Sequence, residues 1–395
     1  MIAAAALRGG DLERARSALA GPVADAEPRG ASHEVDALRI ELHLAAGEHE
    51  EAAAIARQVF RDYHGPGWRI VAEPLVATHA LLAAASALRR VGALDLAARA
   101  AVSAGTVSGY TLDGGPWRGQ ADAAEAFGVV EANLGRYDEA IAAHGEALAL
   151  RRVVVGDRHP ESGTSHHHLG AAYEATARLD LARFHYERAL EIRMRALGDH
   201  PLTARTYNNL GNLAYREGRW DEAIAMHTAA RRIRVAAYGE DHAETATSDA
   251  NLGMVELARG DAEAARRRFE HVLDVRVRVL GPDHPYTGII HNNLGLALAA
   301  LGDDEAALAE HRQALAIRRA FFGDDHLEVA RSHHNLGALL LARGDLAAAR
   351  EHIDAALAIR RRHLPPTHPE IESTRRLQGR LERASRPLDD EGWSP

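Results

Sequence analysis

Two dense groups of histidines are the first residues of this sequence that could do chemistry. One is the run His166-His167-His168, and the other is the pair His333-His334. Neutral imidazole is the commonest protein ligand of transition metals. Neighbouring residues on a helix point about 100° apart, however, so three successive histidines cannot converge on one ion. Because no H-x-x-x-H or HExxH pattern occurs either, the sequence predicts neither a metal site nor a bound cofactor.

The usual patterns of a catalytic centre are also missing. The sequence contains no cysteine and no lysine, which excludes thiolate sites, disulfides and a lysine-dependent phosphate loop. No G-x-S-x-G pattern presents a serine nucleophile, and the acidic residues form no evident catalytic pair. We therefore predict that the chain is not an enzyme.

Composition and charge narrow the class of protein further. Of the 395 residues, 46% are hydrophobic and only 5% aromatic, and the abundance of alanine favours packed helices over strands. The net charge of −9 argues against a nucleic-acid binder. No apolar run approaches the roughly 20 residues of a membrane span, and the N-terminus lacks a signal-peptide pattern. We expect a soluble, cytoplasmic protein that contacts neither nucleic acid nor membrane.

A repeat of 42 residues organises most of the chain. A glycine or alanine that would end the first helix of each unit recurs at intervals of 41 or 42 residues: Gly135, Ala177, Gly218, Gly260, Gly302 and Gly344. Seven residues before each lies another glycine: Gly128, Gly170, Gly211, Gly253, Gly295 and Gly337. Five residues after each lies an alanine: Ala140, Ala182, Ala223, Ala265, Ala307 and Ala349. Each unit therefore reads as a helix, a tight turn and an antiparallel helix.

The residue types at these positions have physical reasons. Glycine inside a helix costs about 1 kcal/mol relative to alanine, so a recurring one predicts a close helix crossing. The later glycine suits the left-handed residue that ends a helix. Second helices end in an arginine, which we interpret as a cation that complements the helix dipole and pairs with glutamate of the next unit. These arginines are Arg151, Arg193, Arg234, Arg276, Arg318 and Arg360.

The pattern resembles the tetratricopeptide repeat. In one unit Leu210, Gly211, Gly218, Ala223 and Ala230 fall at the family's spacing. The 42-residue period, the Tyr-Asn-Asn-Leu-Gly segment and linkers such as Gly-Pro-Asp-His-Pro at 281–285 are similar to the kinesin-light-chain subclass. This resemblance implies an all-α solenoid, a right-handed superhelix of antiparallel helix pairs. We interpret the linker histidine as a turn residue that caps or packs against the following helix.

The resemblance and the repeat spacing predict four segments. Residues 1–118 contain degenerate helical hairpins, with recognisable turns near Gly10, Gly47 and Gly92. Residues 119–369 contain six regular units, and the glycine-rich stretch 104–118 is the candidate joint between these segments. Residues 370–384 form a closing helix, and residues 385–395 are a disordered tail.

The same resemblance places the first helix of each unit on a concave, peptide-binding face. Two adjacent positions before Leu-Gly then become informative, because asparagine is a poor helix former whose amide can both donate and accept hydrogen bonds. A row of amides could hold the backbone of an extended peptide, although bonding to a neighbouring helix would explain the row equally well. The candidate binding residues are His167, His168, Arg205, Asn208, Asn209, Asn212, Tyr215, Asn251, Asn292, Asn293, Arg331, His334 and Asn335.

These observations favour an interaction scaffold that binds a peptide or a partner protein. The alternative function is a regulatory or sensory tail of a larger signalling enzyme, such as a bacterial serine/threonine kinase, to which arrays of this kind are often attached. Self-association through the end faces of the array is a third interpretation.

Overall fold

The computed structural model describes residues 29–46, 48–64, 81–86, 88, 97, 100 and 116–386. Within these residues the regular structure is helical and contains no β-strand. The chain divides into two compact units, Met1–Asn209 and Leu210–Pro395. None of the described helices is both long and apolar enough to cross a membrane.

The helices follow one another as antiparallel hairpins. In the first unit they are α1 (Arg29–Ala45), α2 (His49–His64), α3 (Pro116–Asn133), α4 (Tyr137–Val154), α5 (Pro160–Ala175) and α6 (Leu179–Leu197). Helix α7 (Pro201–Arg216) contains the boundary between the units. In the second unit they are α8 (Trp220–Tyr238), α9 (Ala243–Ala258), α10 (Ala262–Leu280), α11 (Pro285–Ala300), α12 (Asp304–Phe322), α13 (Leu327–Ala342), α14 (Leu346–His363) and α15 (Pro369–Ala384).

Each regular hairpin crosses at the predicted helical glycine. A Cβ atom added to Gly253 would lie 2.8 Å from Phe269 Cε1, and one added to Gly295 would lie 2.8 Å from the ring of His311. Such distances leave no room for a side chain, so the helix-crossing role of the glycines is confirmed. The residue opposite each glycine is buried, and its type varies: His144, Tyr186, His227, Phe269, His311 and Ile353.

The turns between paired helices have the predicted left-handed residue. Gly260 has φ +90° and Gly344 has φ +81°, a conformation that glycine adopts without steric cost. Ala177 occupies the equivalent position with φ +57°, although an L-side chain is strained there. The alanine five residues after each of these positions is fully buried, as close packing of the hairpins requires.

The linker histidines cap the helices that follow them, which confirms the sequence interpretation. His284 Nδ1 accepts a hydrogen bond from the backbone N–H of Tyr286 at 3.1 Å, at the start of α11. This contact satisfies one of the unpaired donors in the first turn of the helix. The same contact, at 3.1–3.3 Å, involves His159, His242, His326 and His368.

The predicted segment boundaries stay predictions. The turns at Gly10, Gly47 and Gly92 lie outside the described residues, as do most of the joint at 104–118 and most of the tail at 385–395. Helix α15 covers the residues for which a closing helix is predicted. Ile371, Leu377 and Leu381 of α15 are buried, and the two leucines pack in the same hydrophobic core as residues of α13 and α14.

Candidate functional site

Three ligand-type side chains from three different helices meet in the first unit. Glu125 of α3, His144 of α4 and His168 of α5 each offer one ligand atom, and these atoms lie within 4.8 Å of one another. Glu125 Oε1 is 2.9 Å from His144 Nδ1 and also contacts His168 Nδ1. Glu125 and His144 are buried, whereas His168 is half-buried. The cluster is therefore closest to solvent at His168.

The other oxygen of this carboxylate is held by separate partners. Glu125 Oε2 accepts hydrogen bonds from Arg151 Nη1 at 2.8 Å and from Ser165 Oγ at 2.6 Å. Arg151 also donates to Asp122 Oδ1 at 2.9 Å. Burial alone would raise the pKa of the Glu125 carboxyl, but its contacts with the two imidazoles lower that pKa far below its usual range. Glu125 is thus a buried anion whose two oxygens face different partners.

The three successive histidines of α5 diverge, as helical geometry predicts. His166 Nδ1 lies 2.9 Å from His185 Nδ1, and burial lowers the pKa of both imidazoles to about 4. His167 is buried and its ring centroid is 5.6 Å from that of Tyr186. His168 is the member of the run that reaches the carboxylate cluster. Because His167 is only 1% exposed, it does not lie on a surface that a peptide could contact.

The arginines that end the second helices are buried, which the sequence interpretation did not anticipate. Arg318 is 1% exposed and donates to Ser332 Oγ at 2.7 Å, across the joint between two repeats. The predicted pairing with glutamate also occurs, since Arg318 Nη2 lies 3.4 Å from Glu328. The equivalent hydroxyl contacts are Arg151 with Ser165, Arg193 with Thr206, Arg234 with Ser248 and Arg360 with Thr374. These cations therefore join consecutive hairpins rather than form a charged surface.

Arg276 departs from this scheme for a visible reason. The other arginines bond a serine or threonine that lies 14 residues later in the chain. At that position after Arg276 the residue is Ile290, which is buried and has no hydroxyl. The guanidinium turns to Thr247 Oγ1, at 2.6 Å, and lies 5.4 Å from the centroid of the Tyr286 ring. The hydrogen bond of Arg276 therefore stays within its own hairpin, and its contact with the next hairpin is to the aromatic face of Tyr286.

A row of three asparagines lies at equivalent positions on the first helices of repeats in the second unit. Asn251 on α9, Asn293 on α11 and Asn335 on α13 occupy one repeat position and are all half-buried. Asn335 Nδ2 donates to Asn292 Oδ1 at 2.7 Å, and Asn292 is 5% exposed. Part of the row therefore bonds neighbouring helices, and Asn292 is not accessible to a peptide. The other two asparagines of the row, Asn251 and Asn293, lie on α9 and α11, which are the first helices of two consecutive repeats.

In the first unit the candidate residues of α7 differ in their surroundings. Asn209 Nδ2 donates to the hydroxyl of Tyr186 at 3.3 Å, and this hydroxyl donates to Glu174 at 2.9 Å. Asn208 is half-buried and Arg205 is exposed. The Arg205 side chain is therefore open to solvent, whereas Asn209 bonds a residue of the preceding hairpin.

The other candidates of the second unit are partly occupied by internal contacts. Asn212 is half-buried, and the Tyr215 ring packs 5.3 Å from that of Trp220. Arg331 contacts Glu328, one helical turn before it. Burial, together with the nearby charge of Arg360, lowers the pKa of the His334 imidazole to about 4. His334 is therefore neutral near pH 7.

A separate apolar cavity lies at the linker end of the second unit. It has a volume of about 350 Å³, and its lining includes Tyr286, Ile289, Phe321 and Phe322. Tyr286 is 58% exposed and Phe321 is 63% exposed, values that are high for large apolar side chains. The sequence reading did not single out these residues.

Sequence reasoning also missed Glu125 and His144. A signal for Glu125 existed, because the equivalent positions hold His167, Asn208, Ala250, Asn292 and His334, and Glu125 is the sole carboxylate in that series. His144 stands opposite a crossing glycine, a position that holds histidine in two other repeats and Tyr, Phe or Ile in the rest. The sequence alone could not predict that these two residues lie close to His168.

The repeat geometry agrees with a comparison against known families. A family described as "Tetratricopeptide repeat" matches residues 119–195, 185–234, 202–276, 244–320 and 291–362. The chain belongs to the tetratricopeptide repeat family. Its repeats therefore belong to a class of helical hairpins that generally serve as interaction scaffolds. No curated protein sequence matches the chain.

Solved structures with the same helical-repeat fold are numerous. The apo form of the quorum sensor NprR from B. thuringiensis is 11% identical, with 90% of this chain and 96% of that chain covered and a TM-score of 0.66. A Rap protein complexed with competence and sporulation factor is 13% identical, with coverages of 90% and 98% and a TM-score of 0.54. A putative kinesin light chain from Podosopora anserina is 23% identical, with coverages of 51% and 96% and a TM-score of 0.45. At these identities the first two likenesses establish the fold alone.

Proposed function

We propose that this chain is a non-enzymatic scaffold that binds an extended segment of a partner protein along the first helices of its repeats. The observation that carries the proposal is the row Asn251, Asn293 and Asn335 on three consecutive first helices of the second unit. An amide both donates and accepts, so it can hydrogen-bond the backbone of a peptide whatever the peptide's sequence. Repetition at one position of every hairpin gives such contacts a regular spacing along the array.

A charged residue on the same helices would add selectivity. Arg331 on α13 is partly exposed. Guanidinium groups pair with carboxylates in a defined geometry, which favours peptides that carry acidic residues. His167 and Asn292 are left out of the proposed surface because both are buried. A Rap protein that shares this fold has been solved in complex with competence and sporulation factor, which supports the use of such an array as a binding surface.

Peptide selection followed by matched substitutions tests the proposal. Peptides are first selected from a displayed random library on the wild-type chain, and their dissociation constants are measured by fluorescence anisotropy. Asn251→Ala, Asn293→Ala and Asn335→Ala are then combined in one variant. Each lost hydrogen bond is worth about 0.5–1.5 kcal/mol, so the triple variant should bind at least about tenfold more weakly.

The control carries substitutions on the exposed side of the second helices. His271→Ala combined with Gln313→Ala changes two exposed residues at equivalent positions of α10 and α12, and it should leave the dissociation constant unchanged. Circular dichroism checks that both variants keep their helical content. Equal affinities of the wild type and the triple variant would refute binding along the amide row.

A further inference from the structure

We propose that Glu125, His144 and His168 form a binding site for one divalent transition-metal ion, with Zn²⁺ as the reference ion. The site joins α3, α4 and α5, which are consecutive helices of the first unit. It is independent of the proposed peptide surface, which rests on residues of the second unit. Its ligands would be Glu125 Oε1 and the Nδ1 atoms of both histidines, which already lie against that oxygen.

The donor set suits this class of ion. Zinc binds imidazole nitrogen and carboxylate oxygen, and sites with three protein ligands leave the fourth position for water or another ligand. Cobalt, nickel and copper accept the same nitrogen and oxygen donors. Calcium and magnesium prefer oxygen ligands, so a set with two imidazoles disfavours them.

His144 supplies a buried ring nitrogen that can bind a shared ion. His144 Nδ1 lies only 2.9 Å from Glu125 Oε1, yet its direction does not satisfy hydrogen-bond geometry, so this buried nitrogen has no hydrogen-bond partner among the described residues. His144 is 2% exposed. A buried polar nitrogen normally finds a partner, because leaving it unsatisfied costs the full desolvation of that group. An ion between the two atoms would provide that partner.

The surroundings of Glu125 match the outer shell of a metal site. Ligating carboxylates are usually hydrogen-bonded through their remaining oxygen. Here Arg151 and Ser165 both donate to Glu125 Oε2, which leaves Oε1 facing the two histidines. Arg151 also pairs with Asp122, so its positive charge is balanced by two carboxylates. The ion would add to a cluster whose net charge is negative when both imidazoles are neutral.

Other repeats provide a contrast that isolates the site. His227 and His311 stand at the position of His144, opposite their own crossing glycines, and their Nδ1 atoms also lack hydrogen-bond partners. The position equivalent to Glu125 in the same hairpins holds Asn208 and Asn292. The buried imidazole is therefore common to several repeats, whereas its combination with a carboxylate and a second imidazole occurs here.

The repeats also supply substitutions that preserve the fold. Phe269 occupies the position of His144 in another hairpin, so His144→Phe places a ring that the fold already accepts against a crossing glycine. Asn209, Asn251, Asn293 and Asn335 occupy the position of His168, so His168→Asn restores the residue of the other repeats. His227→Phe is the matched control, because it makes the same change at a position without the carboxylate.

The experiment is Zn²⁺ titration of the metal-free, untagged full chain at pH 7.5 by isothermal calorimetry, with Co²⁺ absorption as a second readout. The wild type and His227→Phe should bind one equivalent with the same affinity. Removal of the Ser165 hydroxyl by Ser165→Ala should weaken binding by about 10–100-fold. His144→Phe and His168→Asn should each weaken it at least as much and abolish the visible Co²⁺ bands.

Two results would overturn the site. The first is a wild-type chain that binds no Zn²⁺, which would leave the cluster as a hydrogen-bonded ion pair between Glu125 and an imidazolium. The second is one equivalent bound with unchanged affinity by His144→Phe and His168→Asn. That result would show that the ion binds elsewhere, for example at His166 and His185. Loss of Zn²⁺ binding in His166→Gln would identify that alternative site.

Discussion

The repeat position just before Leu-Gly carries different chemistry in the two units. In the first unit His168 meets a buried carboxylate there and Asn209 bonds the preceding hairpin, whereas in the second unit Asn251, Asn293 and Asn335 form a row of amides. The backbone around the position is the same in both, with a crossing glycine and a fully buried alanine in each hairpin. The hairpin therefore fixes where a side chain points and leaves its type free to change.

The buried arginines that end the second helices extend this comparison. Their substitution gives the largest expected effect on stability. Arg151 in the first unit neutralises the buried Glu125, while Arg276 in the second unit donates to the neutral hydroxyl of Thr247. Arg151→Met should destabilise α3–α5 by about 3–5 kcal/mol, because it leaves an uncompensated buried charge. Arg276→Met should cost about 1 kcal/mol, the worth of one hydrogen bond.

Hydrogen exchange measured by mass spectrometry reports these effects helix by helix, which suits an array that need not unfold in one step. The two variants serve as controls for each other, since each removes a buried guanidinium. Equal losses of protection around positions 151 and 276 would show that the carboxylate partner does not distinguish the two joints.

The residues opposite the crossing glycines predict a pH effect of intermediate size. Burial lowers the pKa of His311 to about 4 from an unfolded value near 6.5. Between these values the unfolded chain binds more protons, so the stability that His311 contributes is complete above pH 6.5 and is lost as the pH falls towards 4. The slope is at most about 1.4 kcal/mol per pH unit.

His311→Phe should remove this part of the pH dependence, since Phe269 fills the same position in the neighbouring hairpin. Urea unfolding at pH 7 and pH 5 gives the measurement. His271→Gln, at an exposed position, should keep the wild-type difference between the two pH values. A His311→Phe chain that loses as much stability on acidification as the wild type would contradict the expectation.

Substitutions of the turn residues give the smallest expected change in stability. The change has opposite signs in the two units. Ala177 is held at φ +57° in the first unit, whereas Gly260 has φ +90° in the second. Ala177→Gly should stabilise its hairpin by up to about 1 kcal/mol by relieving left-handed strain, and Gly260→Ala should destabilise its own by a similar amount. Among the described residues, no heavy atom lies within 4 Å of a Cβ added to Gly260, so the backbone alone is tested. Thermal unfolding midpoints that move in the same direction for both variants would refute the assignment.

Much of the fold could be predicted because it repeats. One hairpin is ambiguous by itself, but a glycine that returns every 42 residues inside a helix requires a packing reason, and the rings opposite Gly253 and Gly295 supply it. The capping role of His284 and its equivalents followed from their place directly before each first helix. These features are local, so the sequence contains the information for them.

The contacts between hairpins could not be predicted from the sequence, and the reason is physical. An arginine at a helix end reads as a solvated cation, and its burial depends on how far the long side chain reaches into the next repeat. The serine 14 residues after Arg318 was the available clue. Glu125 and His144 likewise come from separate helices and are brought to His168 by packing, which no spacing along one helix could indicate.

The joints also bear on how the array can be lengthened. Arg234 with Ser248 and Arg318 with Ser332 make the same contact at 2.8 Å and 2.7 Å, two repeats apart. A segment copied between such joints presents the same complementary ends, so a tandem duplication adds hairpins without new interfaces to evolve. The joint at Arg276 lacks the serine and is not interchangeable with the others. It marks a place in the second unit where gene duplication or protein engineering would need compensating changes.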